Sequence, residues 1–307
     1  MRGLFRIREE IPPWQAVLYG ALCIAIVYGV WWFVTAGETG EERILPPAML
    51  SSPGETFATL ESLWFERELA RNLLASLRRV ALGFGLAALV GIPLGVLSGC
   101  FSGVNAFFAP ITIFGRNIPV AALIPLTFVI FEIGETQKVM FIFIACVAFV
   151  IADTAGAIRD VGGQYIDTAY TLGAGRLQVI MKVLFPLALP SIFNSLRVLF
   201  GLAFGYIMLA EVVKLGGESG GIGDIIITSQ RRGPKEHILL VLMIIPIVAL
   251  GIDRLLFWIQ KELFPYRHGG SGILHRCVRA SLHAWEDLKG LFWGRRGTHE
   301  KERAGKP

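Results

Sequence analysis

Charge is scarce in this chain. Of its 307 residues 17% are Asp, Glu, Lys or Arg, 54% are hydrophobic, and the mean hydropathy is +0.59. A soluble domain needs more charge than that to cover its surface, so composition points to a membrane protein. A very apolar soluble protein would carry apolar runs of strand length, and the runs here are longer. Cysteine is also scarce: Cys23, Cys100, Cys146 and Cys277 stand alone, three of them inside apolar runs. No CxxC or metal spacing exists, so neither a disulfide framework nor a zinc site is suggested. The five histidines, His237, His268, His275, His283 and His299, lie outside the most apolar segments. That argues against an intramembrane histidine metal site.

Basic residues are in excess only at one end. The net charge is +5, and the stretch from Lys261 to Pro307 alone carries ten Lys/Arg against five Asp/Glu. The first 260 residues therefore balance, so a nucleic-acid-binding surface is not indicated.

What the chain has in quantity is apolar length. Runs near 15–35, 76–100, 106–131, 138–158, 187–213 and 238–260 are each long enough to cross a ~30 Å hydrocarbon core as a helix. The fold class expected is an all-α integral membrane protein of about six transmembrane helices. The first run follows Arg2, Arg6 and Arg8, as in a signal peptide. Its length is that of a span, and no small-x-small site ends it, so it reads as a retained helix.

The segments divide the chain into a cytoplasmic N-terminus (1–14), a first span (15–35), an external segment (36–75), a core (76–260) and a basic tail (261–307). Residues 36–74 carry seven Asp/Glu against three Arg. Within them Ser52-Pro53-Gly54-Glu55 has an N-cap serine, a proline at the first helical position and a glutamate at the third. Phe57, Leu60, Leu63 and Trp64 follow at helical spacing, predicting a short amphipathic helix along the membrane surface. In the tail, Leu274, Val278, Leu282, Trp285, Leu288 and Phe292 recur at steps of three and four among basic residues. They predict an amphipathic helix that lies on lipid or docks a partner.

Three glycines, Gly91, Gly95 and Gly99, share one face of the second run. This small-xxx-small row predicts close helix packing, and with the short loops it suits a dimer around a central path. Pro93 in the same run predicts a kink. The glycine-rich stretch from Gly216 to Gly223 lacks a preceding strand and a following Gly-Lys-Ser/Thr, so it is not a phosphate cradle. Arginines before the first span and in the tail place both termini in the cytoplasm. Arg78-Arg79 and Arg231-Arg232 fall on the outer side and oppose that assignment.

The loop 156–185 carries the most specific pattern. It contains Asp167-Thr168-Ala169-Tyr170-Thr171-Leu172-Gly173-Ala174, then Val183-Leu184-Phe185-Pro186. This resembles the EAA loop of binding-protein-dependent ABC importer permeases: Glu-Ala-Ala, three residues, Gly, nine residues, Ile, one residue, Leu-Pro. Asp167 stands for the Glu and Thr168 for the first Ala; Ala169, Gly173 and Pro186 match; Val183 and Phe185 replace the Ile and Leu. The stretches from Ser76 to Phe84 and from Gly91 to Gly95, then Ile118-Pro119, Ala122-Leu123-Ile124-Pro125 and Ala210-Glu211 with Ser219–Gly223, are similar to the nitrate/sulfonate/taurine branch. The resemblance covers roughly 45–265.

The resemblance implies a type I importer permease core of five helices with a cytoplasmic coupling helix in an inner (cytoplasmic) membrane, the first span being an addition. It implies that Asp167, Thr168, Ala169, Leu172, Gly173, Ala174 and Pro186 serve ATPase coupling. A short helix, roughly 164–170, would fit a groove in the ATPase, Gly173 would permit the turn after it, and Pro186 would start the next span. Partners implied are two ABC ATPase subunits, a second permease copy, an external solute-binding protein and membrane lipid. ATP and magnesium would sit on the ATPase, with no cofactor or metal bound by this non-catalytic chain. The implied cargo is a small anion such as nitrate, a sulfonate, taurine or bicarbonate; the family also includes carriers of pyrimidine precursors.

Ionisable residues within spans must face the bundle interior or a water-filled path. Arg116, Asn117, Asn194 and Arg197 are candidates for an anion-friendly passage, or else interhelical pairs and end-of-helix anchors. Asp153 and Glu211, near span ends, read as such pairs or anchors. Two rival classes are weaker. An ion-coupled secondary transporter would show a repeat between halves or a midmembrane acidic pair, and a membrane enzyme would need a converging catalytic cluster.

Overall fold

The computed structural model describes residues 11–37, 43–47, 49–213, 220–232 and 234–264. The amphipathic helix read over 274–292, the N-terminal arginines and residues 216–219 lie outside them. Among the described residues every regular element is helical. Five helices are long and apolar enough to cross a membrane: Trp14–Val34, Leu69–Cys100, Glu135–Arg159, Arg176–Val212 and Glu236–Leu263.

The run at 106–131 is not one continuous span. Helix α5, Ser102–Asn117, and the segment Val120–Phe131 meet at 95°. Pro119 has no N–H to donate and pushes the residue before it out of the helical region, so Ile118 is extended at φ −67°, ψ 127°. A short 3₁₀ turn, Val120–Ala122, then leads into α6, Leu123–Phe131.

Helix α1, Pro13–Val34, is apolar all round, and none of its most apolar window is buried within the chain. Such a helix is one that lipid solvates. The predicted amphipathic helix is present as two short ones, α2 (Pro53–Ala58) and α3 (Leu60–Phe65). Glu55 N–H donates to Ser52 Oγ at 3.3 Å, and Ser52 N–H donates to Glu55 Oε2 at 2.8 Å, completing the capping box. Arg43 grips the same carboxylate through two nitrogens, at 3.3 and 3.0 Å. The Arg43 guanidinium, with the Ser52 N–H, holds Glu55 well below its ordinary 4.5, at about 2.

Helix α4, Leu69–Cys100, starts seven residues before the predicted span and continues through Pro93. Its 32 residues exceed the length needed to cross a bilayer. Helix α7 is Glu135–Arg159; α8 is Gly163–Thr171; α9 is Arg176–Val179; a π-helical turn, Ile180–Leu184, joins α9 to α10, Phe185–Val212. Helices α11, Ile222–Arg232, and α12, Glu236–Leu263, are the last elements among the described residues.

The chain divides into two compact units. One comprises residues up to Arg79, Ile133–Glu135 and Ile207–Ile247. Its interior holds a buried ion pair: Glu211 and Arg79 are 0% and 4% exposed. Glu211 accepts from Ser76 Oγ at 2.8 Å and from Gly223 N–H at 3.0 Å, while Arg79 also donates to Gly220 O and to Glu135. Gly221 N–H donates to Asn72 Oδ1 at 2.6 Å. At φ +112° Gly221 takes a conformation that L side chains rarely adopt, and a Cβ there would meet the Glu211 carboxylate. The Ala210-Glu211 and Gly-Gly-Ile-Gly stretches are thus one structure, a glycine turn folded over a buried ion pair.

The other unit comprises Val80–Glu132, Thr136–Tyr206 and the residues from Val248 on. Its main seam is between α4 and α7. A Cβ on Gly91 would lie 2.7 Å from Val150, on Gly95 2.5 Å from Thr154, and on Gly99 2.6 Å from Ile158. Gly83 and the fully buried Ala87 extend the row at the same four-residue step. The two backbones approach as closely as this motif permits. Because α7 of the same chain fills it, the row lends no support to a dimer, contrary to the expectation above.

Candidate functional site

Helix α8 carries the Asp167–Ala174 motif. Its end is closed by a Schellman pair: Ala174 N–H donates to Ala169 O at 3.0 Å and Gly173 N–H to Tyr170 O at 2.9 Å. This closure needs a left-handed residue, and Gly173 supplies it at φ +81°. Ala169 is the buried residue of the helix, 8% exposed. It enters a cluster with Val96, Ala157, Ile158, Val179, Leu184, Ala188 and Ile192, with Ile166 and Ala174 packed around it. A larger side chain at 169 would lift α8 off this seat.

The opposite face of α8 is open. Asp167 and Thr168 are exposed, as are Tyr165 and Tyr170 at about half, and Leu172 is 82% exposed. Thr168 and Thr171 turn their hydroxyls back onto Gln164 O and Asp167 O. The result is a one-sided element, anchored by Ala169 and presenting tyrosine, carboxylate and leucine outward.

Pro186 does not start the next span. That helix begins at Arg176, where Gln178 reaches back to the Gly175 N–H at 2.9 Å, and runs to Val212. Pro186 sits at its eleventh residue. Just before it the helix widens at Ile180–Leu184, with Phe185 N–H donating to Ile180 O, five residues back. A proline has no N–H to give, and a local π turn is one way that a helix accommodates the interruption.

The passage candidates divide. Arg116, Asn194 and Arg197 line one polar cavity of about 720 Å³, with Asp153, Arg159 and Asp160. Asn117 does not line it; its amide donates back to Ile113 O at 2.8 Å, at the end of α5. Arg197 is held by Asp253 at 2.8 Å and Gln260 at 3.1 Å, with its guanidinium 4.9 Å from the Phe257 ring centre. Arg116 lies 5.5 Å over Phe149. Three arginines face two aspartates, and Asp253 cancels the third charge. The cavity is polar, and its ionisable lining is balanced in sign.

Sequence reasoning did not connect Ser76, Arg79 and Glu211, whose partners lie 132 to 135 residues apart. The available signal was two ionisable residues inside apolar spans, each needing a partner.

Long apolar helices around a polar cavity, with a short helix seated at one end by a single alanine, suit a membrane transport protein. The chain belongs to the family of binding-protein-dependent transport system inner membrane components, whose profile matches residues 91–264. It is 31% identical over 264 residues to the bicarbonate transport system permease protein CmpB of Synechococcus elongatus, covering 84% of this chain and 92% of that protein. It is 29% identical over 270 residues to the taurine transport system permease protein TauC of Escherichia coli, covering 86% and 94%. In fold it is similar to an inward-facing structure of the MetNI methionine ABC transporter, with a TM-score of 0.57 at 22% identity, covering 66% of this chain and 97% of that one. It is therefore a multi-pass inner-membrane permease subunit of an ABC importer.

Proposed function

We propose that this permease passes a small anion of the bicarbonate, nitrate, sulfonate or taurine class, and that hydrolysis on separate ATPase subunits drives it through α8. The observation that carries the reading is α8 itself: a short helix seated by Ala169, closed by Gly173, with an open face of Tyr165, Asp167, Thr168 and Leu172. A chain without ATP chemistry needs such a lever. ATP and magnesium sit on the ATPase pair, whose closure pushes α8 and swings the spans as rigid bodies. A second permease copy completes the path, an external binding protein selects and delivers the cargo, and both termini are cytoplasmic.

The anion class is supported by the names of the relatives, which transport bicarbonate and taurine. The charge balance of the Arg116–Asn194–Arg197 cavity suits transit and leaves selection to the binding protein.

The test is gentle purification from native membranes. An ATPase should co-elute with wild type and be lost with Gly173→Glu. Leu172→Glu is the second variant, because that side chain is 82% exposed and its replacement leaves the fold intact. If no ATPase co-elutes with wild type, or Gly173→Glu and Leu172→Glu retain it as wild type does, the coupling role of α8 fails. Uptake of labelled bicarbonate, nitrate and taurine by the reconstituted complex then identifies the cargo.

A further inference from the structure

Beside the seat of α8 lies a second cavity of different chemistry. It is an apolar groove of about 530 Å³ between the last third of α4 and the opening of the Arg176–Val212 helix. Ile92, Pro93 and Leu97 line it from one side and Ile180, Met181 and Phe185 from the other. Its one charged lining residue is Arg176, the first residue of its helix, and Phe101 lines it just past the end of α4.

The level of these residues follows from the glycine seam. Gly99 lies against Ile158, which belongs to the cluster under Ala169, so the end of α4 is level with the α8 loop. The groove runs from that level towards Ile92, nine residues or ~13 Å up the helix axis at 1.5 Å per residue. It is therefore aligned with the spans, apolar along its depth and cationic at its loop end. Leu97, Phe101 and Met181 stand 40% to 58% exposed along it. Water has no polar partners there.

The geometry points to one occupant: we propose that this groove holds an acyl chain of an anionic phospholipid whose headgroup phosphate pairs with Arg176. An amphipathic molecule with a negative head and a tail parallel to the spans matches the groove in polarity and direction. A cationic mouth between transmembrane helices is a general feature of headgroup sites. Ile92, Val96, Ile180 and Phe185 line the groove and also pack in or against the cluster that seats Ala169. A bound chain therefore firms the seat of the lever. With the topology proposed above, the headgroup lies in the cytoplasmic leaflet; the pairing of tail and head does not rest on that topology.

The test is native mass spectrometry of the assembled transporter after incubation with phosphatidylglycerol or phosphatidylcholine of equal chain length. Wild type should retain phosphatidylglycerol about fivefold better, the effect of one Arg contact near the surface. Arg176→Gln, at an exposed position, should remove that preference while leaving retention of phosphatidylcholine unchanged. Met181→Trp should lower retention of both lipids, with an unchanged unfolding temperature showing that the fold survives. Equal retention of the two lipids by wild type would overturn the proposal, as would unchanged binding in both variants. So would crosslinks placing a protein segment (a second copy, the ATPase or the 265–307 tail) in the groove instead. ATPase co-purification is scored separately in each sample, so failure of the coupling reading is distinguishable from failure of this one.

Discussion

Arg79 and Glu211 meet at 2.7 Å with their side chains 4% and 0% exposed, 132 residues apart in the chain. Breaking a buried pair by deleting one partner strands the other charge and costs about 3–5 kcal/mol. Glu211→Ala should therefore lower the unfolding temperature in detergent sharply. Arg79→Met combined with Glu211→Leu should recover part of the loss, because no buried charge is then stranded; Glu135, the other carboxylate that Arg79 pairs, is 66% exposed. Thermal unfolding of the singles and the double gives the coupling directly.

The α4–α7 seam supplies a paired test. Gly95→Ala places a methyl 2.5 Å from Thr154 Cβ and 2.7 Å from Ile151 O, an overpacking that costs about 1–3 kcal/mol. Gly85→Ala, on the same helix with nothing within 4 Å, should be neutral or add about 0.5–1 kcal/mol. Equal unfolding temperatures for the two variants would refute the seam.

Gly173 is needed for its backbone and not for its space, since nothing lies within 4 Å of a Cβ there. Gly173→Ala should cost about 1–2 kcal/mol from the left-handed conformation, and Gly173→Asn less. Both should keep the spans folded while loosening the end of α8. Hydrogen exchange at 169–174 should rise in the alanine variant with protection of α7 unchanged.

Glu55 sets a pH dependence of α2. Its carboxylate is held at about 2 by Arg43 and Ser52, below its ordinary 4.5. A depressed acid stabilises the fold above its unfolded value, and that contribution is lost as pH falls from 4.5 towards 2. Protection factors of Pro53–Ala58 should drop through this window in wild type. Glu55→Gln should have low protection at neutral pH and no such drop.

Local signals were legible in the sequence where the physics is local. The Ser52–Glu55 box and the glycine row at 91, 95 and 99 all depend on residues within one or two turns. So does the turn residue Gly173, although there it was the resemblance that identified it. The bend at Ile118-Pro119 was not read, because hydropathy over 106–131 stays high through it while the backbone turns by 95°. Pro186 was misplaced for a related reason: a proline signals a helix start, but here a π turn lets the helix precede it. Partners distant in the chain were illegible. Arg79 read as an orientation charge, and Asn117 as a passage residue, although its amide is spent on Ile113 O.

The wide turn at Ile180–Leu184 bears on how such a chain can change by descent. Each residue of an α-helix turns it by ~100°, so deleting one residue here would swing Arg176 and Val179 by that angle relative to α10. Val179, 2% exposed in the same cluster as Ala169, would leave it, and α8 would lose part of its seat. An insertion or deletion between Arg176 and Pro186 is thus an indel of rotation: it leaves the apolar length of the span nearly unchanged and unseats α8 from its cluster.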